Sequence, residues 1–106
     1  MWWFNDEPKG LMAVMGRELR YLKVVEDEWV GTPLEGFGRD PKDYAFSIEN
    51  RKTGAGVTAT CDRPVHRIYF WTIRTTLCPE PYLLMTIPPG GHETWTLRYE
   101  LYTLKR

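Results

Sequence analysis

The run of residues 68–104 restricts the fold more than any other part of the chain, because strand-forming segments alternate there with helix-breaking residues. The segments 66–76, 82–87 and 94–104 are rich in β-branched and aromatic residues. Connecting segments rich in proline and glycine separate them. Each proline lacks a backbone amide donor and disfavours a helical conformation at the preceding residue. The run therefore predicts short antiparallel strands joined by turns.

Two segments further upstream repeat this pattern. In 43–49 and 57–62 apolar and polar residues alternate with the period of a strand, and a connection ending at Gly54 joins the two as a hairpin. Between them and the N-terminal part, three glycines and two prolines in 31–42 predict a long loop. With roughly eight short strands, the chain is expected to be all-β, an antiparallel β-sandwich forming one domain over residues 1–106.

Residues 11–29 fit two different structures. Their apolar residues fall close to helical spacing, and Pro8 after Asp6 is a common start of a helix. Gly16 interrupts that spacing, and the segment 21–25 has the composition of a strand. A hairpin of 11–15 with 19–25, turning at 16–18, agrees with the β-structure downstream, and we favour it over the helix.

The charge balance limits the partners of the chain. The 14 basic and 14 acidic side chains give a net charge of zero, whereas nucleic acids and anionic membranes require a cationic surface. The N-terminal stretch lacks the features of a secretory signal, and no stretch approaches the roughly 18 apolar residues of a membrane span. We expect a cytoplasmic protein that binds neither nucleic acid nor membrane, with Cys61 and Cys78 as two buried, unpaired thiols.

Glu80 is the most distinctive polar residue of the tail, since it stands between Pro79 and Pro81. The two prolines hold the glutamate extended, beside the aromatic strand that carries Trp71. We therefore expect a site at this position, with Glu80 as its candidate catalytic carboxylate.

Aromatic and charged side chains complete the candidate site. The rings of Trp71 and Trp95 can stack on the apolar face of a sugar, and Arg74 can bond its hydroxyls. In the alternative interpretation, Glu80 is a turn residue that is solvated or paired with Arg74 or Arg98. The sequence contains no spacing typical of a metal site or of phosphate binding, so we expect no cofactor.

The tail also resembles a known family. A strand bearing a tryptophan, a C-x-E-P step, a P-G-G-x-E-T-W turn and a final R-Y-E-L-Y strand follow one another. This order is similar to the C-terminal portion of the galactose mutarotase-like superfamily, which includes the aldose 1-epimerases. The residues that carry the resemblance are Trp71, Cys78, Glu80, Pro81, Pro89, Gly90, Glu93, Trp95, Tyr99 and Tyr102.

The resemblance implies a sugar-binding β-sandwich, of which this chain is expected to correspond to the final portion or to be a compact relative. In the epimerases of this superfamily a late glutamate is the general base on the anomeric hydroxyl, and histidines earlier in the domain supply the acid. Glu80 matches that glutamate. The two histidines of this chain, His66 and His92, both lie in the tail, where their neighbours predict surface turns.

Three functions remain open from the sequence. We favour a protein that binds a mono- or oligosaccharide without catalysis. The alternatives are an aldose 1-epimerase-type enzyme with Glu80 as its general base and a structural or assembly module. A sandwich of this length leaves strand edges unpaired, so a homo-oligomer is expected.

Overall fold

The computed structural model describes residues 2–105, which form nine β-strands and one short 3₁₀ helix at Pro41–Asp43. Every strand pairing is antiparallel. The prediction of an all-β antiparallel fold is confirmed, and the strand number and pairing agree with the predicted β-sandwich class. The strands are β1 (Trp3–Phe4), β2 (Met12–Met15), β3 (Glu18–Tyr21), β4 (Val30–Glu35), β5 (Ala45–Asn50), β6 (Ala55–Cys61), β7 (Arg67–Ile73), β8 (Thr76–Tyr82) and β9 (Leu97–Thr103).

The described residues divide into two compact units. The first contains residues 2–37 and 66–82, and the second contains residues 38–65 and 83–105. Among these residues there is no helix with the length and apolar character that a membrane crossing requires. The single domain over 1–106 stays a prediction.

The first unit is built on a four-stranded sheet with the order β1-β4-β7-β8. On one face of this sheet Phe4, Leu34 and Ile68 occupy neighbouring positions on adjacent strands, and all three are buried. Phe70 lies on the same face, and its ring meets that of Phe4 edge-on at 6.0 Å between centroids. This face is the core of the unit, and its apolar burial is the main source of stability.

Strands β2 and β3 form a hairpin beside this sheet. Gly16 and Arg17 make its two-residue turn, and only Gly16 has a positive φ, of 64°, as a type II′ turn requires. The Tyr21 hydroxyl lies 2.7 Å from the buried Thr72 hydroxyl of β7, which fixes the hairpin to the core face. The predicted hairpin is confirmed, although β3 ends at Tyr21, and the alternative helix within 11–29 is wrong.

The predicted loop over 31–42 is wrong in its first half, because β4 runs through it. Pro33 fits a strand here because β1 is only two residues long. The pairing of β1 with β4 ends at Leu34, so no residue of β1 requires an amide donor from Pro33, and the Pro33 carbonyl accepts the Asn5 amide at 2.9 Å. Thr32 and Leu34 point into the core, and their burial favours the extended backbone over a loop.

The predicted strand over 82–87 is also wrong, since β8 begins six residues earlier and ends at Tyr82. Pro79 and Pro81 are therefore inside a strand rather than in the turn before one. Because β8 is the last strand of its sheet, the positions that lack an amide donor can face outward while the alternate residues pair with β7.

The second unit contains a three-stranded sheet with the order β5-β6-β9. Tyr44, just before β5, is buried and packs edge-on against Phe46 at 5.3 Å. Across the sheet the Tyr102 ring lies over Gly56, where any Cβ would collide with it, and its hydroxyl donates to the Glu49 carboxylate at 2.7 Å. An aromatic ring thus replaces the side chain that the glycine lacks.

In the last strand segment, Trp95, Leu97, Tyr99 and Leu101 alternate with polar residues, a pattern that predicts one core face and one face in water. The predicted core face is wrong for three of the four residues. Trp95 is 48% exposed, Tyr99 61% and Leu101 84%. The alternation in β9 was interpreted correctly as a strand, but β9 is an edge strand with a neighbour on one side only. Its apolar side chains are therefore left in contact with water.

Candidate functional site: an aromatic face on the four-stranded sheet

The face of the four-stranded sheet opposite the core holds the candidate site. Tyr69 on β7 stands directly opposite Glu80 on β8, and Trp71 stands opposite Cys78. Side chains opposed in this way are about 5 Å apart at Cβ, and diagonal neighbours remain within reach of an aromatic ring. The ladder thus puts the Glu80 carboxylate beside Tyr69 and diagonal to Trp71.

A third aromatic residue reaches this face from outside the hairpin. Gly31 on β4 is the cross-strand partner of Trp71, and a Cβ on Gly31 would collide with both the Trp29 indole and the Tyr69 hydroxyl. Both groups therefore lie over Gly31. We call Trp29, Tyr69, Trp71 and Glu80 the aromatic face.

The aromatic face is open to solvent to different degrees. Trp29 is 60% exposed, and Tyr69, Trp71 and Glu80 are half-buried. β7 alternates between buried residues on the core side and half-buried residues on this side, as expected for a central strand with one ligand-contact surface. The three rings present flat apolar surface that no part of the described chain covers completely.

Glu80 is the acidic group among these four residues, and its carboxylate makes no hydrogen bond or ion pair with any other residue in 2–105. Arg98 instead lies 3.9 Å from Glu100 on β9. The interpretation of Glu80 as a turn residue is wrong, because Glu80 is inside β8. Its acceptor oxygens are available to a ligand.

One further pair lies at the end of this face. Arg67 and Tyr82 are cross-strand partners next to Tyr69 and Glu80, and the Arg67 guanidinium lies 4.5 Å from the centre of the Tyr82 ring. This cation–π contact holds the Arg67 guanidinium over the Tyr82 ring, and Tyr82 is two residues from Glu80 on the same side of β8. Sequence reasoning missed Arg67, although its alternation with Tyr69 and Trp71 would have revealed it.

The remaining predicted site residues lie elsewhere. Arg74 is exposed in the two-residue turn between β7 and β8, at the opposite end of the hairpin from Arg67. Trp95 belongs to the second unit, before β9. The structure thus brings Trp71 and Glu80 onto one face, whereas Arg74 lies in the turn at the end of the hairpin and Trp95 is part of the other unit.

The histidines are exposed, and His92 belongs to the second unit. Both His66 and His92 lie outside the strands, which confirms the prediction of surface positions. Within 2–105 no cluster of three or more metal-ligating side chains occurs. Cys61 and Cys78 are free thiols, half-buried rather than fully buried.

The face can bind in two chemical ways. Its rings can stack on an apolar surface, and its carboxylate can accept hydrogen bonds from hydroxyl or amide donors. A proton transfer that needs a base and an acid would find a base in Glu80 but no imidazole among the residues of the face. The arrangement is suited to recognition.

Comparison of the chain with protein-family models, with curated proteins and with solved structures found no match.

Proposed function

We propose that the protein binds carbohydrate on the aromatic face, without catalysing a reaction. The observation that carries the proposal is the arrangement of Trp29, Tyr69 and Trp71 on one sheet face around a carboxylate with no partner in the described chain. A face of this kind offers both the apolar and the polar contacts that a sugar requires.

The chemistry of a pyranose matches the face. One side of the ring presents C–H groups that pack on an aromatic surface, and the hydroxyls at its edge donate hydrogen bonds. A carboxylate bonded to hydroxyls is a charge-assisted acceptor, stronger than a neutral one. Glu80 would fix the orientation of the sugar, and the rings would supply most of the contact area.

The resemblance of the tail to mutarotase-like domains supports the same ligand class. Trp71 and Glu80 both belong to the motifs that carry the resemblance, and both lie on the aromatic face. We propose a relationship to the final portion of that superfamily with the binding function kept. Catalysis is left out because the face holds a base without an acid partner.

Composition supports a cytoplasmic setting for this function. The net charge of zero disfavours nucleic acid and anionic membrane as partners, and the two cysteines are free. We propose a soluble sugar-binding protein of the cytoplasm.

Tryptophan fluorescence tests the proposal, since Trp29 and Trp71 would both contact the ligand. The protein is titrated with a panel of mono- and oligosaccharides, and a saturable change in emission is expected for at least one of them. The absence of a saturable change for every sugar would remove the proposal.

A further inference from the structure

Strand β9 forms an open edge of the three-stranded sheet in the second unit. It is seven residues long and contains neither proline nor glycine. Tyr99 and Leu101 leave 61% and 84% of their surfaces in water. A long apolar edge of this kind is a template for another strand, and natural proteins normally cover or interrupt such an edge.

The backbone of β9 presents its free groups at alternate residues. The Thr96 carbonyl accepts the Asp62 amide at 3.1 Å, and the Leu104 amide donates to the Gly54 carbonyl at 2.7 Å. The backbone N–H and C=O groups of the even-numbered residues therefore point toward β6. In an antiparallel ladder the N–H and C=O of one residue point the same way and those of the next residue point oppositely. The amides and carbonyls of Leu97, Tyr99 and Leu101 therefore point outward, toward an added strand.

The charges on β9 select one register for pairing with a second copy. If Tyr99 lies opposite the partner's Tyr99, then Arg98 lies opposite the partner's Glu100. By twofold symmetry Glu100 lies opposite the partner's Arg98, so the interface contains two such charge pairs. In this register the residues whose backbone amides and carbonyls point outward lie opposite one another, so the two strands can exchange hydrogen bonds. The neighbouring register, with Glu100 opposite the partner's Glu100, opposes like charges and is disfavoured.

The same register also pairs the apolar side chains. Leu97 lies opposite the partner's Leu101, and the two tyrosines meet at the axis. Within each copy, Leu97, Tyr99 and Leu101 are paired with residues of β6 that point to the same side of the sheet, namely Cys61, Ala59 and Val57. Joining two sheets through β9 therefore extends one apolar face across six strands and removes exposed side chains from water.

The other edges of the two larger sheets are less suited to this contact. β1 is only two residues long, and β8 carries Pro79 and Pro81, which cannot donate to an added strand. The β5 edge carries Glu49 and no cation, so an antiparallel copy of it would gain no charge pair. Length, backbone donors and charge complementarity together distinguish β9 from these three edges.

We infer that the protein forms a twofold homodimer in which the β9 strands of two copies pair antiparallel about Tyr99. The inference is independent of the sugar-binding proposal, because it uses only the second unit. It gives the predicted homo-oligomer a defined interface.

Charge reversal tests the register. Each of the two single variants, Arg98→Glu and Glu100→Arg, puts like charges opposite each other at both charge pairs of the interface. Each is expected to raise the dimer dissociation constant about tenfold, as measured by sedimentation velocity. The double variant restores opposite charges and is expected to dimerise as the wild type does. A mixture of the two single variants is expected to form a heterodimer, because each supplies the charge that the other lacks.

Arg17→Glu in the β2–β3 turn is the matched control, since it reverses an exposed charge that belongs to the other unit and is not part of β9. Circular dichroism confirms that each variant keeps the β-fold. A wild type that stays monomeric at submillimolar concentration would overturn the inference. A dimer that neither single reversal weakens, or that the double reversal fails to restore, would overturn it as well.

Discussion

Tyr69 and Glu80 stand directly opposite each other on β7 and β8, on the face of the sheet that points away from the core. This pairing puts an unpartnered carboxylate against an aromatic ring, with Trp71 at the diagonal position. The two-residue turn at 74–75 fixes the register of the pair. A one-residue slip of β8 would move Glu80 to the core face, so the hairpin and the site are specified together.

Glu80→Gln isolates the role of the carboxylate. The glutamine keeps the shape and an acceptor but loses the charge, so sugar affinity is expected to fall about tenfold, as loss of a charge-assisted hydrogen bond implies. The melting temperature is expected to stay unchanged, because the carboxylate has no partner among residues 2–105 that would be left unpaired. Titration by fluorescence or calorimetry measures the first effect, and thermal unfolding measures the second.

Polarimetry on the same two proteins separates binding from catalysis. The wild type is expected to leave the mutarotation rate of α-glucose and α-galactose at the rate in buffer. An acceleration that disappears in Glu80→Gln would contradict the binding function and establish the epimerase alternative.

Gly31→Ala tests whether the rings lie over β4. The added Cβ would collide with the far ends of the Trp29 and Tyr69 side chains, both of which can rotate away. We expect a stability loss of no more than about 1 kcal/mol but a shifted tryptophan emission and a weakened sugar affinity. Gly91→Ala is the control, since its neighbours are atoms of Pro88 in a turn. Unchanged emission and affinity in Gly31→Ala would argue against the arrangement.

The double substitution Pro79→Val and Pro81→Val tests the edge of β8. Valine restores two outward amide donors and favours strands, so the edge becomes open to pairing with other chains. Higher-order association is expected in light scattering, beyond the state of the wild type. The same change at Pro88 and Pro89, which lie outside the strands, is expected to have no such effect. Equal association of both double variants would contradict the protective role of the β8 prolines.

Tyr44 predicts how stability depends on alkaline pH. Burial raises the pKa of Tyr44 above the ordinary tyrosine value of about 10, and Tyr99 and Cys61 add to the effect. Above about pH 10 the unfolded chain releases this proton while the folded chain retains it, so the free energy of unfolding decreases as pH rises. Below that pH Tyr44 is protonated in both states and does not make the free energy of unfolding depend on pH.

Tyr44→Phe is expected to reduce this slope by as much as about 1.4 kcal/mol per pH unit. Urea unfolding at several values between about pH 9 and about pH 11 measures it. Tyr82→Phe, at an exposed tyrosine, is the control. An equal slope in the Tyr44 variant and the wild type would show that another group carries the dependence.

The parts of the fold that local pattern determines were predictable. Alternation in 43–49 and 57–62 identified β5 and β6, the β-branched and aromatic composition of 66–76 identified β7, and Gly16 located the turn of the β2–β3 hairpin. β4 was missed because Gly31 and Pro33 have loop composition, and only the short length of β1 and the Trp29 ring make them acceptable in a strand. Such compensations are tertiary and leave no local signal.

The site was predictable to the same extent. Trp71 and Glu80 are joined by one tight hairpin, so their proximity followed from a local turn. Trp29 lies on the face because β4 pairs with β7, which is about forty residues further along the chain. No residue spacing in the sequence indicates this proximity. The exposure of Tyr99 and Leu101 was missed because alternation indicates a strand but not whether a strand lies at an edge.

The most direct test of the sugar-binding function compares Trp29→Ala with Trp95→Ala in the oligosaccharide titration. Both residues are exposed tryptophans, but Trp29 lies on the aromatic face and Trp95 belongs to the other unit. Sugar affinity is expected to fall about tenfold in Trp29→Ala, as the loss of one aromatic stack implies, and to stay at the wild-type value in Trp95→Ala. Full affinity in Trp29→Ala would contradict binding at this face.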